Sequence, residues 1–113
     1  MNGAVLRVGG LPDEALDAAA AFYDQWLPRA LKQLSPDSEV LTIVLSGAAY
    51  DHTDWRRAAA RDIARAAAPQ RVNIVAGDDE GAIAATVEYL ARAPGVTGQY
   101  LPTTGGGAGV ATG

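Results

Sequence analysis

The residue types that could carry out chemistry are concentrated between Ser46 and Asp54. A serine, the only histidine of the chain (His52) and the nearby carboxylates of Asp51 and Asp54 are the components of a hydrolytic triad. However, Ser46 lacks the flanking Gly-x-Ser-x-Gly pattern that exposes a nucleophilic serine on a sharp turn. We therefore interpret His52 as a surface residue beside the start of a helix.

Metal binding is a second chemistry that these residue types could support. Asp51, His52 and Asp54 supply two carboxylates and one imidazole, but this set is generic and no second cluster completes a site. The acidic run from Asp78 to Glu80 precedes a helix, where carboxylates interact favourably with the helix dipole. We expect this run to cap that helix, and we expect no bound metal.

The composition limits the classes of protein to which the chain can belong. It has 113 residues, of which 49% are hydrophobic, enough for one domain with its own core. There is no cysteine, which excludes disulfides and thiolate chemistry. The net charge of −4 and the lack of a basic cluster argue against binding to nucleic acid or to an anionic membrane. No apolar run is long enough to span a bilayer and no signal peptide is recognisable, so we expect a cytoplasmic protein.

Hydrophobic periodicity predicts alternating strands and helices. The run at 39–45 is continuous and rich in β-branched residues, as is typical of a strand buried on both faces of a parallel sheet. The helical spacing over 11–34 is interrupted by Pro28, which should kink the helix or remove one of its hydrogen bonds. Thr53 or Asp51 is expected to cap the next helix. The predicted strands are 4–8, 39–45, 71–75 and 99–101, and the predicted helices are 11–34, 53–68 and 80–93.

This order of elements predicts an α/β fold of the β-α-β-α-β-α-β type. Right-handed connections would give a three-layer half-Rossmann domain: a four-stranded parallel sheet with two helices on one face and one on the other. The domain is expected to cover 1–104, followed by a Gly-rich flexible tail at 105–113. The first strand would be a sheet edge open to pairing with another chain.

Arginines and tryptophans give weaker indications. The arginines of the second predicted helix are interpreted as a solvated stripe rather than an anion site, and the two tryptophans as packing or interface residues. These residues are Arg56, Arg57, Arg61 and Arg65, and Trp26 and Trp55.

Two segments carry a resemblance to a known family. Residues 71–77 read Arg-Val-Asn-Ile-Val-Ala-Gly, and residues 95–106 contain Thr-Gly-Gln and end in Thr-Thr-Gly-Gly. They resemble the RVNxVAPG and TGQxxxxDGG segments of the short-chain dehydrogenase/reductase family, although no proline follows Ala76 and Thr104 replaces the aspartate. From about residue 4 to 106, the chain resembles the C-terminal half of that family in a truncated form.

The resemblance implies catalytic positions and also the loss of their partners. Ser46 matches the place of the family's catalytic serine, and Tyr50 is the nearest match to its catalytic tyrosine. The Tyr-x-x-x-Lys motif is absent, since Asp54 stands four residues after Tyr50. The lysine of that motif activates the tyrosine and holds the cofactor ribose, and a carboxylate supplies neither function. The Gly-rich cofactor loop is missing as well, because the match begins at the family's fourth strand.

We therefore expect a non-catalytic module, derived from this family, that acts as an oligomerising or partner subunit. The resemblance implies a homodimer or a complex with a full-length reductase of the same family. No cofactor is expected, and NAD(P) would bind only where a partner completes the site. Two alternatives stay open: a small NAD(P)-dependent oxidoreductase that uses Ser46 and Tyr50 and is completed by a partner or an oligomer, and a small-ligand or nucleotide-binding protein.

Overall fold

The computed structural model describes residues 3–34 and 38–103. Four strands alternate with helices along this part of the chain. The strands are β1 (Gly3–Arg7), β2 (Val40–Leu45), β3 (Arg71–Ala76) and β4 (Tyr100–Pro102). The helices are α1 (Ala15–Ala21), a π-helical turn (Phe22–Trp26), α2 (Leu27–Gln33), a 3-10 turn (Tyr50–His52), α3 (Thr53–Ala67) and α4 (Glu80–Ala91).

The strands form one parallel sheet in the order β1-β2-β3-β4. Val5 of β1 lies beside Thr42 of β2, and Thr42 lies beside Asn73 of β3. At the other edge, Ile74 of β3 lies beside Tyr100 of β4. The predicted α/β fold with a four-stranded parallel sheet is confirmed, and the strand ends differ from the predicted ones by at most one residue.

The two central strands are buried on both faces. Leu41, Ile43 and Leu45 of β2 belong to the core beneath α1, α2 and α3, together with Phe22 and Ile63. The alternate residues of β2 face the other way, towards α4, because successive side chains of a strand point to opposite faces. Complete burial of one such aliphatic side chain contributes about 1.5–3 kcal/mol to folding. The helices are therefore divided as predicted, with α4 alone on its face.

Pro28 alters the first helix without ending it. Its ring has no N–H and crowds the carbonyl four residues earlier, so regular α-helical hydrogen bonding cannot continue there. The chain forms a wider π-helical turn immediately before it, in which the Leu27 N–H bonds to the Phe22 carbonyl oxygen. The helix begins at Ala15, four residues later than the predicted start at position 11.

The caps of the two later helices differ. No side chain caps α3: the 3-10 turn leads into it, and His52 occupies the N-cap position, but its side chain accepts no hydrogen bond from a backbone N–H of the helix. The prediction that Thr53 or Asp51 caps this helix is wrong. Asp79 caps α4, since its carboxylate accepts a hydrogen bond of 2.9 Å from the Ala82 N–H. The prediction for the acidic run is confirmed at this residue.

Two expectations concern the limits of the domain and the membrane. The predicted boundary at 104 and the tail at 105–113 lie outside the described residues. Among the helices within 3–34 and 38–103, none combines the length and the apolar character needed to cross a bilayer.

Candidate functional site

A crevice lies at the carboxyl ends of the parallel strands, the place where open α/β sheets bind their ligands. It has two adjoining parts of about 210 Å³ each, and Gly77 and Asp78 line both of them. Ser46 lines one part and Thr103 lines the other. Both parts are small compared with the roughly 300–1,000 Å³ of typical ligand pockets.

Acidic side chains control the polarity of this crevice. The Asp78 carboxylate accepts a hydrogen bond of 3.1 Å from the Gly47 N–H, at the end of β2. This backbone donor, which could otherwise bind a phosphate, is thus already occupied. Asp79 and Glu80 also line the crevice. Arg7 lines the crevice too and pairs with Glu80, so the excess negative charge comes from Asp78 and Asp79 and opposes the binding of an anionic dinucleotide.

Close packing narrows the crevice at Gly77. A Cβ atom at this position would overlap the hydroxyl group of Thr103. That hydroxyl donates a hydrogen bond of 3.0 Å to the Ala76 carbonyl oxygen, and the Thr103 N–H bonds to the same oxygen at 2.7 Å. The glycine is therefore explained by the approach of the chain after β4 to the end of β3.

Arg56 is only 2% exposed and is hydrogen-bonded to two residues that line the crevice. Its Nη1 atom donates hydrogen bonds to the Ser46 carbonyl oxygen at 2.9 Å and to the Tyr100 hydroxyl at 3.2 Å. The guanidinium also lies near the rings of Trp55 and Tyr100, 5.5 and 5.9 Å from their centroids. Its Nε atom is buried without a partner in the described part of the chain. This buried cation joins α3 to the end of β2 and to β4.

His52 is buried rather than exposed, which corrects the surface interpretation. Its Nδ1 atom accepts a hydrogen bond of 3.1 Å from the Trp55 indole N–H, which can only donate. Its Nε2 atom must then carry the proton and donates to the Asp13 carbonyl oxygen at 2.8 Å. Both ring nitrogens are engaged in packing α3 against the start of the first helical segment. The imidazole is not placed to act as a base for Ser46.

Asn73 anchors the loop that precedes β4. The side chain is fully buried on the α4 face of the sheet. Its Nδ2 atom donates to the Val96 carbonyl oxygen at 3.1 Å, and its Oδ1 atom accepts from the Gln99 N–H at 3.1 Å. Both hydrogen-bonding ends of the amide are therefore used to position backbone.

The neighbouring residues of this segment hold the same loop and the end of α4. The Val72 N–H bonds to the Thr97 hydroxyl at 3.0 Å, and the Val72 carbonyl accepts from the Gly98 N–H at 2.7 Å. Gly98 has a positive φ of 73°, which glycine adopts readily. Arg71 donates from Nη1 to the Leu90 and Ala93 carbonyl oxygens, which satisfies the C-terminal end of α4.

A second feature is the free edge of the sheet at β1. Beside it, a groove of about 490 Å³ opens between β1 and α4. Val5 of β1 is 42% exposed there, and Val87 and Glu88 of α4 line the opposite wall. Arg7 at the end of β1 forms an exposed ion pair with Glu80, with a shortest N–O distance of 3.0 Å. The open sheet edge predicted from the sequence is therefore present at β1 in the part of the chain that the structure describes.

A family model described as a short chain dehydrogenase-like protein matches residues 6–103. The chain belongs to this family. Neither the curated proteins nor the solved structures gave a significant match.

The two residues that the sequence resemblance assigned to catalytic positions, Ser46 and Tyr50, do not line a common part of the crevice. Ser46 is exposed at the end of β2, beside the crevice. Tyr50 begins the 3-10 turn and is 89% exposed, and it lines neither part of the crevice. No hydrogen bond joins these two side chains, both of which the structure describes. Within residues 3–34 and 38–103, no group of three or more metal-ligating side chains is close enough to hold a metal ion.

Arg56 lies in a different environment from the one that the sequence predicts. The sequence predicts a solvated stripe of Arg56, Arg57, Arg61 and Arg65, but only the last three are exposed. The helical period contained the signal: Ala59, Ala60 and Ile63 follow Arg56 by three, four and seven residues, and all are buried. The two tryptophans are partly buried against the core, in agreement with a packing role.

Proposed function

We propose that this short chain dehydrogenase-like chain is a non-catalytic module that works as an oligomerising subunit or as the partner of a full-length reductase of the short-chain family. It would correspond to the C-terminal half of the family pattern and would bind no cofactor by itself. NAD(P) would bind only where a partner completes a site.

The observation that carries this proposal is the open edge at β1. In the part of the chain that the structure describes, β1 pairs only with β2, and the groove between β1 and α4 leaves Val5 partly exposed. An uncovered edge strand beside an apolar groove is a surface that other chains pair with. The α4 face is thus suited to assembly.

The crevice supports the non-catalytic part of the proposal. Its backbone donor at Gly47 is occupied by Asp78, and Asp79 adds negative charge, whereas Glu80 is paired with Arg7. Asp54, one turn after Tyr50, cannot replace a lysine. These features disfavour hydride transfer from a dinucleotide by this chain alone.

A second candidate function is an oxidoreductase or small-ligand protein that a partner or an oligomer completes. It is favoured by the position of Ser46 beside the crevice, at the carboxyl end of a central strand. In that case another chain would supply the dinucleotide site.

Two measurements on the full chain separate these candidates. Size-exclusion chromatography with multi-angle light scattering at micromolar concentration should show an oligomer. Isothermal titration with NADPH and with NADH should show no binding, or binding only in the millimolar range. Micromolar binding of either dinucleotide would refute the non-catalytic part of the proposal and support the oxidoreductase. A chain that stays monomeric would refute self-association and leave only the partner function.

A further inference from the structure

The backbone of β1 presents alternate hydrogen-bonding groups on its free side. The Val8 N–H bonds to the Val44 carbonyl oxygen at 2.9 Å. Val8 and every second residue before it therefore direct their N–H and C=O groups towards β2. In a parallel pair, the residues between them direct their N–H and C=O groups the other way. These are Gly3, Val5 and Arg7, and no described strand pairs with them.

This pattern suits antiparallel pairing of β1 with β1 of a second copy, around a two-fold axis through Val5. Val5 then lies opposite Val5 of the second copy, and Gly3 lies opposite Arg7 of the second copy. All the residues in these pairs have outward-facing backbone groups, so each pair exchanges two hydrogen bonds without any shift of register. The parallel ladder between β1 and β2 is unchanged.

The side chains on the α4 face are compatible with this arrangement. Directly opposite residues point to the same face, so Arg7 of one copy enters beside Gly3, where no side chain blocks it. The groove at that place is lined by Glu88 of α4. Each Arg7 is thus brought towards Glu88 of the other copy, and the exposed pair that it forms with Glu80 in its own chain is weak enough to be exchanged.

The opposite face contains like charges that limit the association. Arg29 and Lys32 of α2 line a groove with Leu6 on that side of β1. The two-fold axis brings the same groove of the second copy alongside, so four cations lie near one another. This repulsion opposes dimer formation, and its removal should strengthen the dimer.

We infer that two copies of this chain join through antiparallel pairing of their β1 strands into one continuous sheet, with Arg7 of each copy facing Glu88 of the other. This interface rests on the proposed oligomerising function and names its partner, a second copy.

The first test compares the full chain with its Val5→Lys variant by light scattering and analytical ultracentrifugation. Two lysines directly opposite each other at the axis should weaken the dimer about tenfold or more. Circular dichroism and thermal unfolding serve to check that the variant is folded. If the wild-type chain is a dimer and the folded variant dimerises equally well, the interface is refuted while the oligomerising function stands.

The second test uses charge reversal at exposed positions. Arg7→Glu and Glu88→Arg should each weaken the dimer, and the double variant should recover most of the loss. The matched control is Arg7→Glu with Glu80→Arg, which restores only the ion pair within one chain. Recovery in the control but not in the first double variant would mean that Arg7 acts within its own chain, and the inference would be wrong.

A third variant should increase the affinity of the two copies for each other. The double change Arg29→Gln and Lys32→Gln removes the like charges on the α2 face and is expected to lower the dimer dissociation constant several-fold.

A wild-type chain that is monomeric alone but binds a full-length reductase refutes self-pairing and leaves the partner function intact. A wild-type chain that is monomeric, binds no reductase and binds NADPH tightly refutes both.

Discussion

The Nη1 atom of Arg56 lies 2.9 Å from the Ser46 carbonyl oxygen, and this hydrogen bond ties α3 to the end of a central strand. The same atom reaches the Tyr100 hydroxyl at 3.2 Å, so one buried guanidinium connects two strands and a helix. No described carboxylate pairs with it. The free-energy cost of burying this charge is therefore offset by neutral hydrogen-bond acceptors and aromatic rings.

Replacement of Arg56 should destabilise the fold. Arg56→Ala removes both charge-assisted hydrogen bonds and leaves a cavity, with an expected loss of about 2–4 kcal/mol in the free energy of unfolding. Arg56→Met retains much of the volume and should cost less. Chemical denaturation measures both changes, and Arg57→Ala on the exposed side of α3 is the control, expected within about 0.5 kcal/mol of wild type. Equal losses of unfolding free energy in Arg56→Ala and Arg57→Ala would contradict a structural role for the buried Arg56 side chain.

Asn73 should be among the most sensitive positions of β3. Asn73→Ala leaves the Val96 carbonyl and the Gln99 N–H without their partner, which should cost about 2–3 kcal/mol. Gln99→Ala is the matched control, because that side chain makes only an exposed contact of 3.4 Å with Thr97. Hydrogen exchange should in addition show faster exchange of the Gln99 amide in the Asn73 variant. An unchanged rate would argue against this anchoring role.

Gly77 and Thr103 should be energetically coupled. Gly77→Ala places a methyl group against the Thr103 hydroxyl, and the resulting strain should cost about 1–3 kcal/mol. In a Thr103→Ala background the same change should cost less, since the hydroxyl is gone and only the methyl carbon stays close. A double-mutant cycle of unfolding free energies measures the difference. Additive effects of the two changes would show that the contact is unimportant.

The cap of α4 should depend on a side-chain oxygen at position 79. Asp79→Ala removes the acceptor of the Ala82 N–H and should cost about 1 kcal/mol. Asp79→Ser and Asp79→Asn each retain an acceptor and should recover most of this loss. Thermal unfolding of the variants provides the measurement, and a serine variant as unstable as the alanine variant would be inconsistent with capping.

Tyr23 gives a pH dependence at the alkaline end. Tyr23 is 37% exposed, and its partial burial raises the pKa of the hydroxyl above the ordinary value of 10.0; the nearby Asp62 carboxylate raises this pKa further. The folded state thus favours the neutral phenol, and this contribution to stability is fully present below the unfolded-state pKa. It is lost as the pH rises from there through the folded-state pKa.

The Asp62→Asn variant tests the cause of this shift. It should lower the pKa of Tyr23 but leave it above 10.0, because the effect of burial persists. Ultraviolet titration of tyrosinate absorbance follows the change, with a Tyr23→Phe variant to assign the signal. A pKa that does not move would mean that the carboxylate has no influence on Tyr23.

The fold could be predicted because the sequence patterns that indicate its strands and helices are local. The continuous apolar run of β2 and the alternation of strands with helices led to a parallel sheet, and the acidic run before α4 led to its cap at Asp79. The π-helical turn before Pro28 was only partly predictable. Proline excludes regular hydrogen bonding at that place, but several backbone arrangements can satisfy this constraint.

The environment of the candidate site was less predictable because it depends on contacts between distant segments. Arg56 and Tyr100 are 44 residues apart in sequence, and His52 is bonded to Asp13, 39 residues earlier. Charged and polar residue types led to a surface assignment for Arg56 and His52. Their burial follows from partners that become neighbours only when the sheet and its helices assemble.

The order of the strands has a consequence for how the chain is made. Among the residues that the structure describes, each strand pairs only with its neighbours along the chain, so none of these strands has to be inserted between two that already pair. As the polypeptide leaves the ribosome, each new strand can dock on the one before it, with the intervening helix closing over the pair. The sheet can thus grow in one direction during translation, from the β1 edge towards β4.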